Sequence, residues 1–309
     1  MSKKDSISLT LASPKVRKFA RELGVNINKV VGTQRAGRVI EEDVKLFVST
    51  NSCQIKDSNL KKEEKNELEY VHSEFGEMER KEILSVKKLS SKYLVNSWSK
   101  IPHVTNHDGA DITEMEEFRS SLTKVYTGEK KKITPLAFIV KALTISLKKF
   151  PSFNSSIDEI DNGKMTYKKY YHIGIDVDTP HGLMGPKLRN VNNKNISLIA
   201  KELKKISDEC KNLKIDKKEL FGGSMTITSL GGIGGSFFTP IINYPEVAIL
   251  GIGRSEKKQI YKNGKFVSRT ILPLSLSYDH RIIDGAEAAR FNNELKANLG
   301  KNFAYKLAV

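Results

Sequence analysis

Residues 272–291 read LPLSLSYDHRIIDGAEAARF. Leu272, Leu274, Leu276 and Tyr278 alternate with smaller residues, the period-two pattern of a strand. Ala286 to Leu295 reads as a helix. Asp284 has the chemistry of its N-cap, and Glu287 stands three residues later, as a capping box requires. The stretch is therefore strand, turn and helix, with His280 at the end of the strand. A histidine there can project into a cleft and serve as a general base. Asp284 admits two readings, helix cap or orienting group of an active site, and both stay open at this point.

Outward from this stretch the same periods recur. Thr134-Pro135 is a cap followed by a first-turn proline. Leu136, Ile139, Val140, Leu143 and Leu147 then mark one helix face, ending before Pro151. Residues 170–178, 225–230 and 247–252 read as strands, and residues 196–213 as a helix with its lysines outside. Strands and helices are mixed without a strict βαβ rhythm, so the class is α+β or a mixed-sheet α/β sandwich. Ser229-Leu-Gly-Gly-Ile-Gly-Gly-Ser236 follows a strand but precedes Phe237-Phe-Thr-Pro240, poor material for opening a helix. A dinucleotide fingerprint needs that helix. The stretch reads instead as a glycine turn where two backbones pass closely, with Thr226, Thr228 and Ser229 offering hydroxyls at a cleft mouth.

Nearer the N-terminus, residues 1–11 form a polar leader and residues 12–48 a compact helical unit. Ser13-Pro14 opens its first helix, whose face carries Val16, Phe19, Ala20 and Leu23 before Gly24 stops it. A second helix begins near Glu41 and buries Val44 and Phe47. So small a unit rarely folds without a metal or disulfide. Asp43, beside a loop of Thr and Gly, is the expected buried acceptor for loop N–H groups. In residues 49–82 both apolar periods vanish, as in a charged linker. The large domain then spans residues 83–309.

Composition bounds the function classes. Hydrophobic residues make up 39%, enough for a sizeable core and too many for wholesale disorder. The longest apolar run, 133–147, is broken by Lys141 and is shorter than a membrane span. MSKKDSISLT has neither the apolar core of a secretory signal nor the Arg-rich character of a transit peptide. Cys53 and Cys210 suffice for neither a disulfide framework nor a metal knuckle, and no metal site is expected. A cytoplasmic, reducing setting is the expectation, with no membrane partner. The net charge is +16, but the lysines are dispersed, and runs such as Lys130-Lys131-Lys132 and Lys204-Lys205 lack interleaved aromatics. A solvated surface, or an anionic cofactor or protein face, fits better than nucleic acid.

His280-x-x-x-Asp284-Gly285 in this setting resembles the signature of the dihydrolipoamide acyltransferases, the core components of 2-oxo acid dehydrogenase complexes; chloramphenicol acetyltransferase shares the motif. The resemblance extends through IPHVTNHDGADITEMEEFR, PSFNSS, HIGIDVDTPHGL and SMTITSLGGIGGSFFTPIINYPEVAILGIGR, nearly all of residues 83–300. Separately, SPKVRKFARELGVNINKVVGTQRAGRVIEEDV resembles the peripheral subunit-binding domain of the same proteins. TITSLGGIGG and INYPEVAILG are worded most like the pyruvate, acetyl-transferring branch.

The resemblance implies a small all-α subunit-binding domain and an α/β catalytic domain like chloramphenicol acetyltransferase, a mixed sheet with flanking helices. It implies acyl transfer between dihydrolipoamide and coenzyme A, with His280 as base, Thr228 as oxyanion donor and Asp284 in the active-site motif. It implies a homotrimer with the site shared between chains, assembled into a larger core. Arg17 and Arg38 match positions that grip dihydrolipoamide dehydrogenase or the 2-oxo acid dehydrogenase. Two departures stand out. The Asp-Lys-Ala hairpin of a lipoyl domain is absent, so the lipoyl group is expected from another chain unless this one was shortened. Tyr93 also occupies a position where many members carry Arg or Asn tied to the motif Asp, which leaves the partner of Asp284 open. Two other readings remain. A non-catalytic scaffold that docks partners usually lacks the histidine, and a free small-molecule acetyltransferase has no use for the binding domain.

Overall fold

The computed structural model describes residues 10–48, 75–125, 133–159 and 163–300, and the chain divides into two units, Met1–Lys81 and Glu82–Val309. Residues 1–9 and 49–74, and with them Cys53 and much of the leader and linker, lie outside the described residues, as does the run at 130–132.

In the first unit, the Ser13 side chain accepts from the Val16 N–H at 3.3 Å and opens α1 (Pro14–Glu22). Residues 41–48 form α2. Val16, Ala20, Val30, Val39 and Val44 are buried, with Phe19 and Phe47 packed against them. Leu23 departs from the expected face and is exposed. As the C-cap, at φ −90° and ψ 3°, it has left the helical phase that would carry it inward. The Asp43 carboxylate organises the loop between the helices. It accepts from the Ile40 N–H at 3.0 Å, the Thr33 hydroxyl at 2.7 Å and the Thr33 N–H at 3.1 Å. Those bonds, led by the Ile40 amide, hold its pKa below the usual carboxylate value against the opposing pull of burial.

The second unit begins with α3 (Ser85–Lys100), β1 (His103–Asp111), α4 (Thr113–Val125) and α5 (Pro135–Lys149). β2 (Ser155–Glu159) and β3 (Lys164–Tyr167) make a separate hairpin. β4 (Ile173–Ile175), β5 (Lys187–Leu188), α6 (Ile196–Lys211), β6 (Met225–Ser229) and β7 (Ala248–Ile252) follow. β8 (Glu256–Lys262), β9 (Lys265–Asp279) and α7 (Gly285–Leu299) complete the unit. The seven-stranded sheet runs β1-β9-β7-β6-β4-β5, with β8 paired to β9. It is mixed: β4/β6 and β6/β7 are parallel, while β1/β9, β7/β9 and β4/β5 are antiparallel. This is the mixed sheet with flanking helices that the sequence implies.

The core explains the arrangement. Ala137, Phe138, Ile139, Val140, Ala142, Leu143 and Leu147 of α5 are all buried, so this helix lies deep and packs against α6 and α7. Phe153 stacks on Phe291 of α7 with ring centroids 4.0 Å apart. The strand expected over 170–178 shortens to β4, because beyond Ile175 the chain pairs through a single bridge, Val177 to Met184. β9 begins seven residues before Leu272. Its first half, with β8, forms a largely exposed ribbon, so no apolar alternation marks it.

Candidate active site

β9 delivers His280. Its strand residues 272–279 are buried, and His280 itself is exposed at the end. The turn beyond is built on Asp279, which is 1% exposed. Asp279 Oδ1 and Oδ2 accept from Arg281 Nε and Nη2 at 2.9 and 2.6 Å, and Oδ1 also accepts from the Arg281 N–H at 3.1 Å. The Asp279 carbonyl accepts from the Ile282 and Ile283 amides, and the His280 N–H donates to Pro102 O at 3.1 Å. A forked guanidinium on a buried carboxylate is a strong, directional pair. It fixes the backbone from which the imidazole projects. The run Asp-His-Arg around the histidine is the only local signal for this clamp, and the motif alone does not disclose it.

Asp284 caps α7 by accepting from the Glu287 N–H at 2.7 Å. The reciprocal half of the box is not made: the Glu287 carboxylate accepts from the Ser152 hydroxyl instead. Tyr93 sits on α3 and is exposed, so within this chain the Asp284 carboxylate serves as the helix cap. Burial, and secondarily the charge of Asp284, push the Tyr278 phenol pKa up.

Thr228 lies in β6 and is half-buried. Thr226 departs from expectation. It is fully buried, and its hydroxyl donates to Glu246 Oε2 at 2.6 Å while accepting from Lys187 Nζ at 2.9 Å. A hydroxyl spent in a buried ion-pair network is not at a cleft mouth; Thr228 and exposed Ser229 are the ones left outward. The glycine turn behaves as read. A Cβ on Gly253 would collide with Ser236 O, so two backbones pass too closely for any side chain, and no helix follows residue 236 before β7.

A further acid stands beside Thr228. Asp176 follows β4, and its N–H donates to Ile227 O at 2.9 Å, which sets it beside Thr228 on the neighbouring strand. Burial raises its pKa to about 6, against the lowering pull of Lys187 and Thr228, with Glu246 adding to the rise. The signal in the sequence is an acid closing an apolar strand, Ile173-Gly-Ile-Asp176.

One chain does not bring His280 and Thr228 together. In register, Thr228 faces Gly251 and Gly251 faces Ser275; His280 is five residues further along. Two strand spacings and five residues of rise separate them by about 20 Å. A base must come within about 3 Å of the proton it takes, and an oxyanion donor equally close to its oxygen. The two expected site residues therefore do not meet within a single chain. Of the residues expected to bind partners, Arg38 is exposed. Arg17 is half-buried and donates to Thr10 O at 2.6 Å and Ala12 O at 3.4 Å.

Known proteins match both parts of the chain. The family model for the 2-oxoacid dehydrogenases acyltransferase catalytic domain matches residues 75–304, and that for the e3 binding domain matches residues 10–45. The chain is 45% identical over 291 residues to the dihydrolipoyllysine-residue acetyltransferase component of the pyruvate dehydrogenase complex of Cupriavidus necator, covering 91% of this chain and 52% of that protein. It is 42% identical over 283 residues to the protein of the same description from Buchnera aphidicola subsp. Acyrthosiphon pisum, covering 91% and 70%. Among solved structures, the dihydrolipoamide acetyltransferase of Azotobacter vinelandii superposes with a TM-score of 0.73 at 40% identity, over 76% of this chain and 96% of that one. The chain thus spans about half the length of the Cupriavidus relative.

Proposed function

The chain belongs to the 2-oxoacid dehydrogenase acyltransferase family, and from that premise we propose that it transfers an acetyl group between dihydrolipoamide and coenzyme A as the core of a pyruvate dehydrogenase-type complex. Residues 83–309 carry the chemistry and residues 12–48 dock partners. The observation that carries the reading is His280, exposed at the end of a buried strand on a turn clamped by Asp279 and Arg281.

A neutral thiol is a weak nucleophile, and its thiolate a strong one. His280 takes the thiol proton as sulfur attacks the thioester carbonyl. The carbonyl electrons move onto oxygen, and the Thr228 hydroxyl donates to that oxyanion. Collapse of the tetrahedral intermediate breaks the original C–S bond, and the imidazolium returns its proton to the departing thiolate. Both substrates are thiols that react directly, so no acyl-enzyme is required. Asp284 supports the site by starting α7 at the end of the His280 turn.

Two features support assembly as a trimer. His280 and Thr228 are too far apart in one chain, so the His280 of one copy serves the Thr228 of the next. And α3 leaves Leu89, Tyr93, Val95 and Trp98 exposed, each more than half accessible, apolar surface suited to being covered by a second copy. Trimers then build a larger core. Coenzyme A is a polyanion, and part of the +16 charge serves its approach. Dihydrolipoamide arrives as a substrate, on a lipoyl group supplied from outside these two domains. Arg38, with the remaining donors of Arg17, grips dihydrolipoamide dehydrogenase or the 2-oxo acid dehydrogenase. No helix among the described residues is long and apolar enough to cross a membrane, and the cysteine-poor composition supports a cytoplasmic setting. Incubating the purified chain with free dihydrolipoamide and a panel of acyl-CoAs tests the reading. Transfer with acetyl-CoA preferred is expected; no transfer from any acyl-CoA would leave a scaffold.

A further inference from the structure

His103 opens β1 and lies opposite Asp279 in register. It takes no part in the proton transfer, and both of its ring nitrogens are engaged. Nδ1 stands 2.7 Å from Ile101 O, and the Ile242 N–H meets Nε2 at 3.0 Å. A carbonyl only accepts and an amide N–H only donates, so the tautomer follows. Nδ1 carries the hydrogen and donates to Ile101 O, while Nε2 accepts from Ile242. The Trp98 ring lies beside the imidazole, with centroids 5.2 Å apart. These two bonds reach both flanks of the strand that ends at His280. On one flank the His280 N–H donates to Pro102 O at 3.1 Å. On the other the Asp279 N–H donates to Val247 O at 2.9 Å, and Ile242 lies in the segment leading to Val247.

The bond on Nδ1 spans Pro102. The pyrrolidine ring fixes φ of that residue, and the peptide planes on either side are rigid. The ψ angle of Pro102 is therefore the one soft backbone angle between Ile101 O and the Cα of His103. Closing the Nδ1 bond sets that angle, and with it the direction of the Pro102 carbonyl. The bond on Nε2 does different work: it satisfies the amide of fully buried Ile242, a group that is costly to leave unpaired. We propose that His103 is a positioning residue for His280, its neutral ring aiming the Pro102 carbonyl that accepts the His280 amide hydrogen. It thereby sets the backbone from which the base reaches the thiol. The inference rests on the reading of His280 as general base. The Asp279–Arg281 pair clamps the turn beyond the strand, and His103 anchors the strand end on the opposite side. Of its two nitrogens, Nδ1 governs the placement of His280 and Nε2 the stability of the segment before β7.

The two nitrogens can be removed one at a time. An Asn side-chain amide replaces the Nδ1 donor and leaves Ile242 without its acceptor. A Gln side-chain carbonyl replaces the Nε2 acceptor and leaves Ile101 O without its donor. The assay is acetyl transfer between acetyl-CoA and free dihydrolipoamide. His103→Gln is expected to lower kcat about 10- to 100-fold, as for a catalytic group displaced by about an ångström, with KM for both substrates little changed. His103→Asn should recover most of that kcat while melting at a lower temperature than His103→Gln. A merely structural histidine would lower rate and stability in the same order. In a His280→Asn background the effect of His103→Gln on kcat should vanish, because His103 acts through His280. Sedimentation gives the assembled fraction to which each rate refers. Pro102→Ala frees φ with both His103 bonds still available; it should lower kcat in the same direction, and it serves where His103→Gln assembles poorly. With His280→Asn slow, a parent kcat in His103→Gln and Pro102→Ala, or equal kcat losses in the Gln and Asn variants, overturns the role of His103 alone. A His280→Asn enzyme at the parent rate overturns the base assignment beneath it.

Discussion

Lys187 and Glu246 meet at 2.7 Å with side chains only 4% and 3% exposed, and both bond the Thr226 hydroxyl two residues before Thr228. Coulomb attraction between two such buried charges is offset by their desolvation, so the pair adds little net stability. Breaking it is another matter, because a lone buried charge remains.

Lys187→Met and Glu246→Gln should therefore each destabilise the large domain, by about 3–5 kcal/mol for removal of one charged partner. The double change Lys187→Met, Glu246→Gln should cost less than the sum of the two singles. Urea unfolding of all the variants checks this. Additive losses would show that the pair does not act as a unit.

Asp43→Ala should loosen the small domain, since three donors of its loop lose their acceptor. The folded carboxyl has a lowered pKa. Its contribution is therefore present above the unfolded carboxylate value and is lost as pH falls through the folded one. Thermal melts of this unit, followed from pH 7 to pH 3, should fall for the parent and stay flatter for Asp43→Ala. Parallel curves would deny Asp43 this role.

This carboxylate also shows what a sequence discloses. Asp43, the Ser13-Pro14 start, the Asp284 cap and the strand into His280 were legible because each is a local pattern. Helix caps and alternating apolar residues act over a few positions. The burial of Thr226 and the proximity of Asp176 to Thr228 were not, because they depend on β4, β5 and β6 lying side by side. β8 and the first half of β9 escaped notice because an exposed ribbon has no buried face to imprint a period. β1 was hidden for a different reason: HVTNHDGAD carries few apolar residues, and its place is set by pairing with β9.

Arg38→Ala should weaken binding of the chain to dihydrolipoamide dehydrogenase, with the larger loss at low salt, because a charge contact is screened as ions are added. Arg17→Ala should do the same, and should also lower the melting temperature of the small domain by releasing Thr10 O. Calorimetric titration at two ionic strengths decides the matter. Affinity unchanged at both would assign docking to other residues. Acetyl transfer by the large domain should be untouched in either variant.

His280→Asn should slow transfer by roughly 10²–10⁴, the worth of a general base, and its residual rate should climb with pH as free thiolate forms. Thr228→Val should slow it by about 10²–10³ and retain the parent's dependence on His280. Stopped assays from pH 6 to pH 9 separate the two. Parent-like rates in both would leave the mechanism without its residues.

The central claim is that one site is built from two chains. Alone, His280→Asn and Thr228→Val chains should each be nearly inactive trimers in sedimentation. Co-expressed and assembled together, some sites combine the intact histidine of one variant with the intact threonine of the other. With random mixing of a head-to-tail interface, about a quarter of the sites are whole. The mixture should regain about that fraction of the parent rate. Mixed trimers that form but show no more activity than the separate variants, or a parent chain that sediments as a monomer and is fully active, would contradict the shared site.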